Sequence, residues 1–291
     1  MMPAVRFVKV EGAGNDYVLV DAFDQPVEDP SAVSIQISDR HRGVGSDGLL
    51  LLEPTPGPAA ARMRIFNADG SEGRMCGNGL RCVVRYLLEA GRAEGPLVEV
   101  ETASGLRQGR RLEWARVEVQ MGAPDFDPAS LPLDDIPWQA RTPARHPLPE
   151  GLSDAGVDGA YAVSVGNPHL VLQVPDVETF DLERHARALQ GSPRLREGAN
   201  IHAVSIGPGG VLRARPYERG SGATRACGTG AVAVAAVASA LGWVTAADES
   251  YEVEMPGGRL GVRLPAGEPA WLAGPAQLVF RGEWSPAGVS G

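Results

Sequence analysis

Two cysteines sit in matched surroundings. Cys76 precedes Gly77-Asn78-Gly79 and an apolar run from Leu80 to Leu88, and Cys227 precedes Gly228-Thr229-Gly230 and the run Ala231 to Leu241. Upstream, Arg64 and Phe66 stand at the same offsets from Cys76 as Arg215 and Tyr217 do from Cys227. A Cys-Gly-X-Gly step into an apolar run predicts a loop turning into a buried helix, because glycine tolerates positive φ and close backbone approach. First-turn amides of such a helix attract a carboxylate. The same field is expected to lower the adjacent thiol pKa from about 8.5 toward neutral, so each loop offers a thiolate beside an anion site.

A cysteine taken alone is more often a small buried apolar residue, and Cys82, six positions inside the first helix, reads that way. Recurrence of the other two in one frame argues for function. Metal binding has little support, since no Cys-X-X-Cys is present and His41, His146, His169, His185 and His202 show no ligand spacing. A cysteine hydrolase could use His169, beside Asn167, but would not need its nucleophile twice. Two equivalent acid/base groups suit a reaction that takes a proton from one face of a carbon and returns one to the other, which is racemisation or epimerisation. A carbon α to a carboxylate is a weak acid, and each pKa unit separating it from a thiol is about 1.4 kcal/mol for the site to recover. Helix amino termini aimed at the carboxylate would supply part of this.

The elements around the cysteines also recur. Val5 to Val10 alternates as a strand, Glu11 to Asp16 turns, and Tyr17 to Asp21 is a second strand; Tyr161 to Val165, the turn Gly166 to His169 and Leu170 to Val174 repeat the unit. Asn15 precedes Cys76 by 61 positions and Asn167 precedes Cys227 by 60. This is a duplication of whole domains. Leu49–Leu52, Arg62–Phe66, Leu97–Thr102 and Arg116–Met121 are expected strands of the first half. In the second, Asn200–Ile206, Val211–Arg215, Tyr251–Met255 and Leu260–Leu264 are expected strands, Phe180–Leu189 an amphipathic helix, and Ala276–Trp284 a final strand. Pro124–Pro149, rich in proline and aspartate, reads as a linker or the opening loop of the second half. Many short strands with one well-marked buried helix per half predict a mixed α+β fold rather than a doubly wound sheet. The expected domains are residues 1–123 with Cys76, completed by the strand region 276–291, and residues 124–275 with Cys227.

Composition narrows the classes further. The 291 residues carry a net charge of -9, against a broad nucleic-acid surface. Lys9, on an expected strand, is the one lysine, which disfavours a pyridoxal phosphate enzyme needing a Schiff-base lysine. Residues 1–10 lack a signal-peptide core, and the run 231–244 is too short to cross a bilayer, so a cytoplasmic location is expected. Three cysteines suit reduced thiols better than a disulfide framework.

Together the motifs make the chain similar to the diaminopimelate epimerases over nearly its whole length. They are Gly14-Asn15-Asp16-Tyr17, Arg40 to Gly45, Phe66 to Glu72, Met75 to Cys82, Gly166-Asn167-Pro168-His169, Tyr217-Glu218-Arg219-Gly220 and Ala226 to Gly230. The resemblance implies two pseudo-symmetric domains, each wrapping strands around a central helix and closing around the substrate. It also implies conversion of LL- to meso-diaminopimelate by two cysteines without cofactor or metal, in lysine and cell-wall precursor biosynthesis. Cys76 and Cys227 are then the acid/base thiols, and the amides of Gly77, Asn78, Gly228 and Thr229 hold the reacting carboxylate. Asn67, Asn200 and Arg219 match positions that read the distal carboxylate, and Glu218 one that receives the distal ammonium. Asn15 and Asn167 match further polar contacts, while His169 and Glu218 match positions that tune the thiols. The implied partner is a small-molecule substrate, with no nucleic acid and no membrane, and with room for a homodimer.

The pattern departs from the family at Ala223, where glutamate is usual, at Val10-Glu11, and at Gly48, where some relatives carry a substrate-touching glutamine. A related two-cysteine proline or hydroxyproline racemase and a non-catalytic binding protein of the superfamily are the alternatives. Asn78 and the Glu218-Arg219 pair favour the longer diamino diacid, and the presence of both thiols favours an enzyme.

Overall fold

Strand β1 (Val5–Gly12) and strand β2 (Asn15–Asp21) form a hairpin with Gly12 opposite Asn15. Ala13 and Gly14 turn it with φ of 57° and 84°, the pair of positive values a tight hairpin turn demands. In the computed structural model, which describes residues 4–127, 156–191, 195, 198–246 and 248–285, this hairpin begins the first of two compact units. One unit comprises Met1–Gln120 and Ala273–Gly291, and the other Met121–Leu272. Most of the Pro124–Pro149 linker, and His146 within it, lie outside the described residues.

After β2 come helix α1 (Pro30–Ser38), β3 (Gly48–Glu53), β4 (Ala61–Asn67), the two-residue β5 (Glu72–Gly73), helix α2 (Gly77–Glu89), β6 (Val98–Thr102), β7 (Gly105–Glu113) and β8 (Arg116–Gly122). β2 runs parallel to β3, β3 antiparallel to β4, β4 antiparallel to β5 and parallel to β6, and β6–β7–β8 form a meander.

The second unit repeats this order. It holds β9 (Gly159–Ser164), β10 (Pro168–Gln173), α3 (Leu182–Gln190), β11 (Asn200–Ile206), β12 (Leu212–Glu218), β13 (Gly222–Ala223), α4 (Gly228–Leu241), β14 (Ser250–Met255) and β15 (Gly258–Arg263). β9 and β10 form the hairpin, β10 is parallel to β11, β11 antiparallel to β12, and β12 antiparallel to β13 and parallel to β14. Strand β16 (Ala270–Pro275) leads to β17 (Gln277–Trp284), which lies antiparallel on β1 from Val5 opposite Trp284 to Glu11 opposite Gln277. The sequence reading of a mixed α+β fold therefore holds. The register makes residues of the two units correspond: Tyr17 pairs with Gly48 as His169 pairs with Asn200.

Each unit has one helix buried on almost every side. In α2 the residues from Gly77 to Leu87 are all buried, and α4 buries Gly228 and Gly230 to Ala238. Such all-round burial fits a helix enclosed by strands, as β-sheet contacts on several sides require. A second helix in each unit lies on the opposite face of the sheet. α1 places Val33 and Ile37 against Val18, Val20, Leu49, Leu51 and Phe66, and α3 places Leu182, Ala186 and Leu189 against Leu170, Leu172, Ile201 and Ala203. Full burial of side chains of this size contributes about 1.5–3 kcal/mol each. α1 and β7 have no counterpart in the sequence reading. In α1 the start signal is clear, with Asp29 accepting from the Ala32 amide and Pro30 in the first turn, but Val33 and Ile37 alternate with serines and leave a weak apolar period.

Candidate active site

Cys76 is the N-cap of α2. Its backbone is extended, with φ of -140° and ψ of 112°, and its Sγ accepts the Gly79 amide at 3.2 Å. That bond satisfies the third amide of the helix, leaving the Gly77 and Asn78 amides outside the intrahelical ladder, where an anion can be received. The Tyr17 hydroxyl lies 3.1 Å from the same sulfur. Asn78, which is buried, donates its side-chain amide to Asn15 at 2.7 Å, and Asn15 donates in turn to Asp47 at 3.2 Å. Arg81, one turn into the helix, is fully buried and donates from Nε to the Pro275 carbonyl. Burial pulls Arg81 below the usual arginine range, and the neighbouring Cys82 and Cys76 work against that pull.

Cys227 repeats the arrangement on α4. With φ of -125° and ψ of 113°, it accepts the Gly230 amide on Sγ at 3.3 Å. Thr229 Oγ1 is 3.5 Å from the sulfur and receives a long 3.4 Å bond from the Asn167 amide. Asn167 Oδ1 then meets His169 Nε2 at 2.9 Å, and His169 Nδ1 meets His202 Nε2 at 2.9 Å. With Asn167 as acceptor, His169 carries its proton on Nε2, so His202 donates from Nε2 to His169 Nδ1. His202 Nδ1 is left buried with no hydrogen-bond partner. Burial, with lesser contributions from the neighbouring His202 ring and the Arg219 guanidinium, holds His169 well below the ordinary histidine range. The imidazole is neutral at neutral pH.

The electrostatics of Cys227 reverse the sequence expectation. Burial, and after it the charge of Glu218, pushes this thiol well above the ordinary cysteine range, and the Thr229 and Gly230 hydrogen bonds do not overcome them. The helix terminus is present, but only 4% of Cys227 is exposed, and desolvation disfavours the thiolate. The free protein thus holds Cys227 as a thiol.

The remaining expected residues gather in two places. In the second unit, Asn200 Oδ1 accepts the Arg219 backbone amide at 2.9 Å and its Nδ2 reaches the Pro168 carbonyl at 3.4 Å, which ties the end of β12 to the start of β10. Glu218 accepts from Thr224 across the β12–β13 turn, and Arg219 is exposed beside it. In the first unit, Asn67 ends β4 opposite Gly48 and donates to Ser71 at 2.9 Å. Gly48 packs closely there, since a Cβ would meet the Phe66 carbonyl oxygen at 2.3 Å. Lys9 is buried and engaged with Asp16 and the Gly45 carbonyl.

The sequence model of the diaminopimelate epimerase family matches residues 7–126 and 161–279. A diaminopimelate epimerase of Alkalilimnicola ehrlichii is 40% identical over 287 residues, covering 96% of this chain and 98% of the relative. The chain belongs to the diaminopimelate epimerase family. A Bacillus subtilis diaminopimelate epimerase is 38% identical, with 97% of this chain and 99% of the relative covered. As the family's members are, it is an isomerase of the amino-acid epimerase class. Among solved structures, a Bacillus anthracis phenazine biosynthesis protein of the PhzF family matches with a TM-score of 0.71 at 18% identity, covering 97% of this chain and 99% of that one. A hydroxyproline epimerase of Agrobacterium vitis matches with a TM-score of 0.67 at 18% identity, covering 98% and 94%. These two share the fold. No helix among the described residues is long and apolar enough to cross a membrane.

Two members of the site, Tyr17 and His202, are not marked by the sequence reading. Tyr17 and His169 both stand two residues after the paired asparagines, so the duplication itself could have identified Tyr17 as the first unit's counterpart. From sequence, His202 reads as part of a core strand, and the histidines form no ligand cluster. The parallel pairing of β10 and β11 instead brings His169, His202 and Cys227 together, with one donor atom of each within 4.8 Å of the others.

Proposed function

We propose that the chain interconverts LL- and meso-diaminopimelate without a cofactor, Cys76 and Cys227 acting as the two acid/base groups. The observation that carries this reading is the repeated N-cap: each sulfur accepts the third amide of its own buried helix, at 3.2 and 3.3 Å, within the same strand order. A cysteine that merely fills a core has no reason to recur as the cap of an anion-receiving helix terminus. The substrate's α-carboxylate is received by the amides of Gly77, Asn78, Gly228 and Thr229, which stabilise the charge that builds as the Cα–H bond breaks.

The protonation of Cys227 divides the roles. Cys227, held as a thiol, is the proton donor. Cys76, beside the buried guanidinium of Arg81 and the Tyr17 hydroxyl, is the acceptor. The Cα–H bond breaks as its proton passes to the Cys76 sulfur, and the Cys227 S–H bond breaks as its proton passes to the opposite face of the carbon. The reverse direction uses the exchanged pair. Neutral His169, fixed by Asn167 and His202, adds no positive charge that would ionise Cys227 early.

Asn67, Asn200 and Arg219 read the distal carboxylate, Glu218 the distal ammonium, and Asn15 and Asn167 make further contacts. The product then feeds lysine and cell-wall precursor synthesis in the cytoplasm. The test is proton NMR of the α-position in heavy water under reducing conditions, with LL-diaminopimelate and L-proline compared. Exchange and isomer formation with the diamino diacid alone support the proposal. Exchange with proline alone sinks it.

A further inference from the structure

His169, His202 and Cys227 form a cluster whose chemistry is not used up by proton transfer. All three are buried, and one donor atom from each lies within 4.8 Å of the other two. The duplication makes His202 stand out. In the first unit the helix-opening Gly79 packs on Leu50, the nearest atom to a Cβ there being Leu50 Cδ2 at 2.9 Å; in the second, Gly230 packs on the His202 ring, with Cε1 at 2.3 Å. An aliphatic side chain therefore fills this place in one unit, while in the other an imidazole fills it and leaves Nδ1 buried without a partner. Packing alone does not call for that imidazole.

We propose that these three residues form a binding site for a borderline cation of the zinc class, and that its occupation shuts off Cys227. The donor set fits the metal: thiolate and imidazole are the ligands of zinc, at about 2.3 and 2.0–2.1 Å, and three protein ligands leave one position open. His169 Nδ1 and His202 Nε2 are 2.9 Å apart around a shared proton. A cation on those two bonds would subtend about 90°, and tetrahedral ligation requires the nitrogens to part by about half an ångström and the rings to turn until both lone pairs meet at the ion.

The surroundings also suit ligation. His169 gives its other ring nitrogen to the Asn167 oxygen at 2.9 Å, the kind of outer hydrogen bond that orients metal-bound histidines. When the cation takes the place of the proton between the rings, that proton moves to the unpartnered His202 Nδ1. The Cys227 thiol loses its proton to solvent as the sulfur–metal bond forms, so one proton leaves for each cation bound. No oxidant or reductant is involved. Binding does not depend on the epimerase reading; inhibition does, because only a catalytic Cys227 would be missed.

The experiment titrates the reduced full-length chain with zinc chloride by calorimetry and with cobalt(II) by absorption, beside activity and thermal melts. The site predicts one zinc per chain, a thiolate-to-cobalt band, a higher Tm with zinc, and activity lost in step with occupancy and restored by EDTA. His202→Leu, which imports the first unit's residue, should weaken zinc binding at least tenfold, as should His202→Gln if the leucine variant does not fold. Cys227→Ser should abolish the cobalt band, and Cys76→Ser should keep it. Unchanged zinc affinity in both His202 variants, or a band that follows Cys76, overturns the proposal, as does a folded wild type that binds no zinc. Zinc bound as described by a chain without epimerase activity counts against the proposed function and leaves this site standing.

Discussion

Gly230 abuts the Cε1 end of the His202 ring: a Cβ at this glycine would stand 2.3 Å from Cε1, 2.8 Å from Nε2 and 2.9 Å from Nδ1. At the matching Gly79 the obstruction is the tip of Leu50, at 2.9 and 3.3 Å. A leucine methyl can rotate away, whereas an imidazole bonded to His169 cannot move without breaking that bond. Gly79→Ala should cost about 1–3 kcal/mol, as overpacking of an adaptable core does. Gly230→Ala should cost more and should also disturb the amide that caps Cys227. Denaturant melts of the two variants test the order, and equal losses would show the His202 ring to be as yielding as Leu50.

In the proposed two-base mechanism each thiol serves one face of the substrate, so removing either should slow proton transfer sharply. Cys76→Ala and Cys227→Ala are expected to lower the epimerisation rate roughly 100- to 10,000-fold, the usual contribution of a positioned acid or base. Solvent deuterium at the substrate α-carbon is the measurement. Full turnover by either variant would remove the two-base mechanism.

The duplication is legible in the sequence because its landmarks are short and chemically distinct: Gly-Asn at a hairpin turn and Cys-Gly-X-Gly at a helix start. The strands around them can be read from alternation or apolar runs, as β1, β3 and β11 show. The features that stay hidden depend on tertiary placement. His202 lies 33 positions from His169, and only parallel pairing of β10 and β11 makes them neighbours. The raised pKa of Cys227 follows from how deeply α4 is enclosed and from Glu218 at the end of β12, neither visible in the local sequence. A helix amino terminus lowers a thiol pKa when water can reach it, and here burial wins.

Cys82 gives a pH dependence whose sign is fixed. Burial pushes its thiol up from 9.0 to about 12. Between those values the unfolded chain has lost the proton and the folded chain retains it, so stability is full below pH 9 and falls as pH rises toward 12. A tenfold difference in proton affinity between folded and unfolded chain corresponds to about 1.4 kcal/mol. Cys82→Ala should start less stable, through the lost sulfur contact and the bond to the Glu11 carbonyl, yet lose less stability from pH 9 upward. Urea melts at pH 8 and 10.5 on both proteins measure the two slopes. Parallel slopes would mean that Cys82 ionises in the folded state as readily as in the unfolded chain.

Arg219→Lys should damage substrate selection while sparing the fold. The backbone amide of this residue donates to Asn200 Oδ1 at 2.9 Å, an anchor that lysine keeps. The side chain is exposed, with Cδ 3.2 Å from where a Gly198 Cβ would stand, so the stem has a place in either residue. What lysine lacks is the planar fork that holds a carboxylate with two bonds. Losing it should weaken the distal contact by roughly 1–3 kcal/mol, the scale of a charged hydrogen bond. Binding energy from the far end of a substrate orders the reacting carbon, so kcat should fall together with a rise in KM. Steady-state kinetics and a thermal melt on one preparation separate the outcomes. Wild-type kcat/KM would remove Arg219 from the substrate contacts, and a collapsed Tm would make the residue structural.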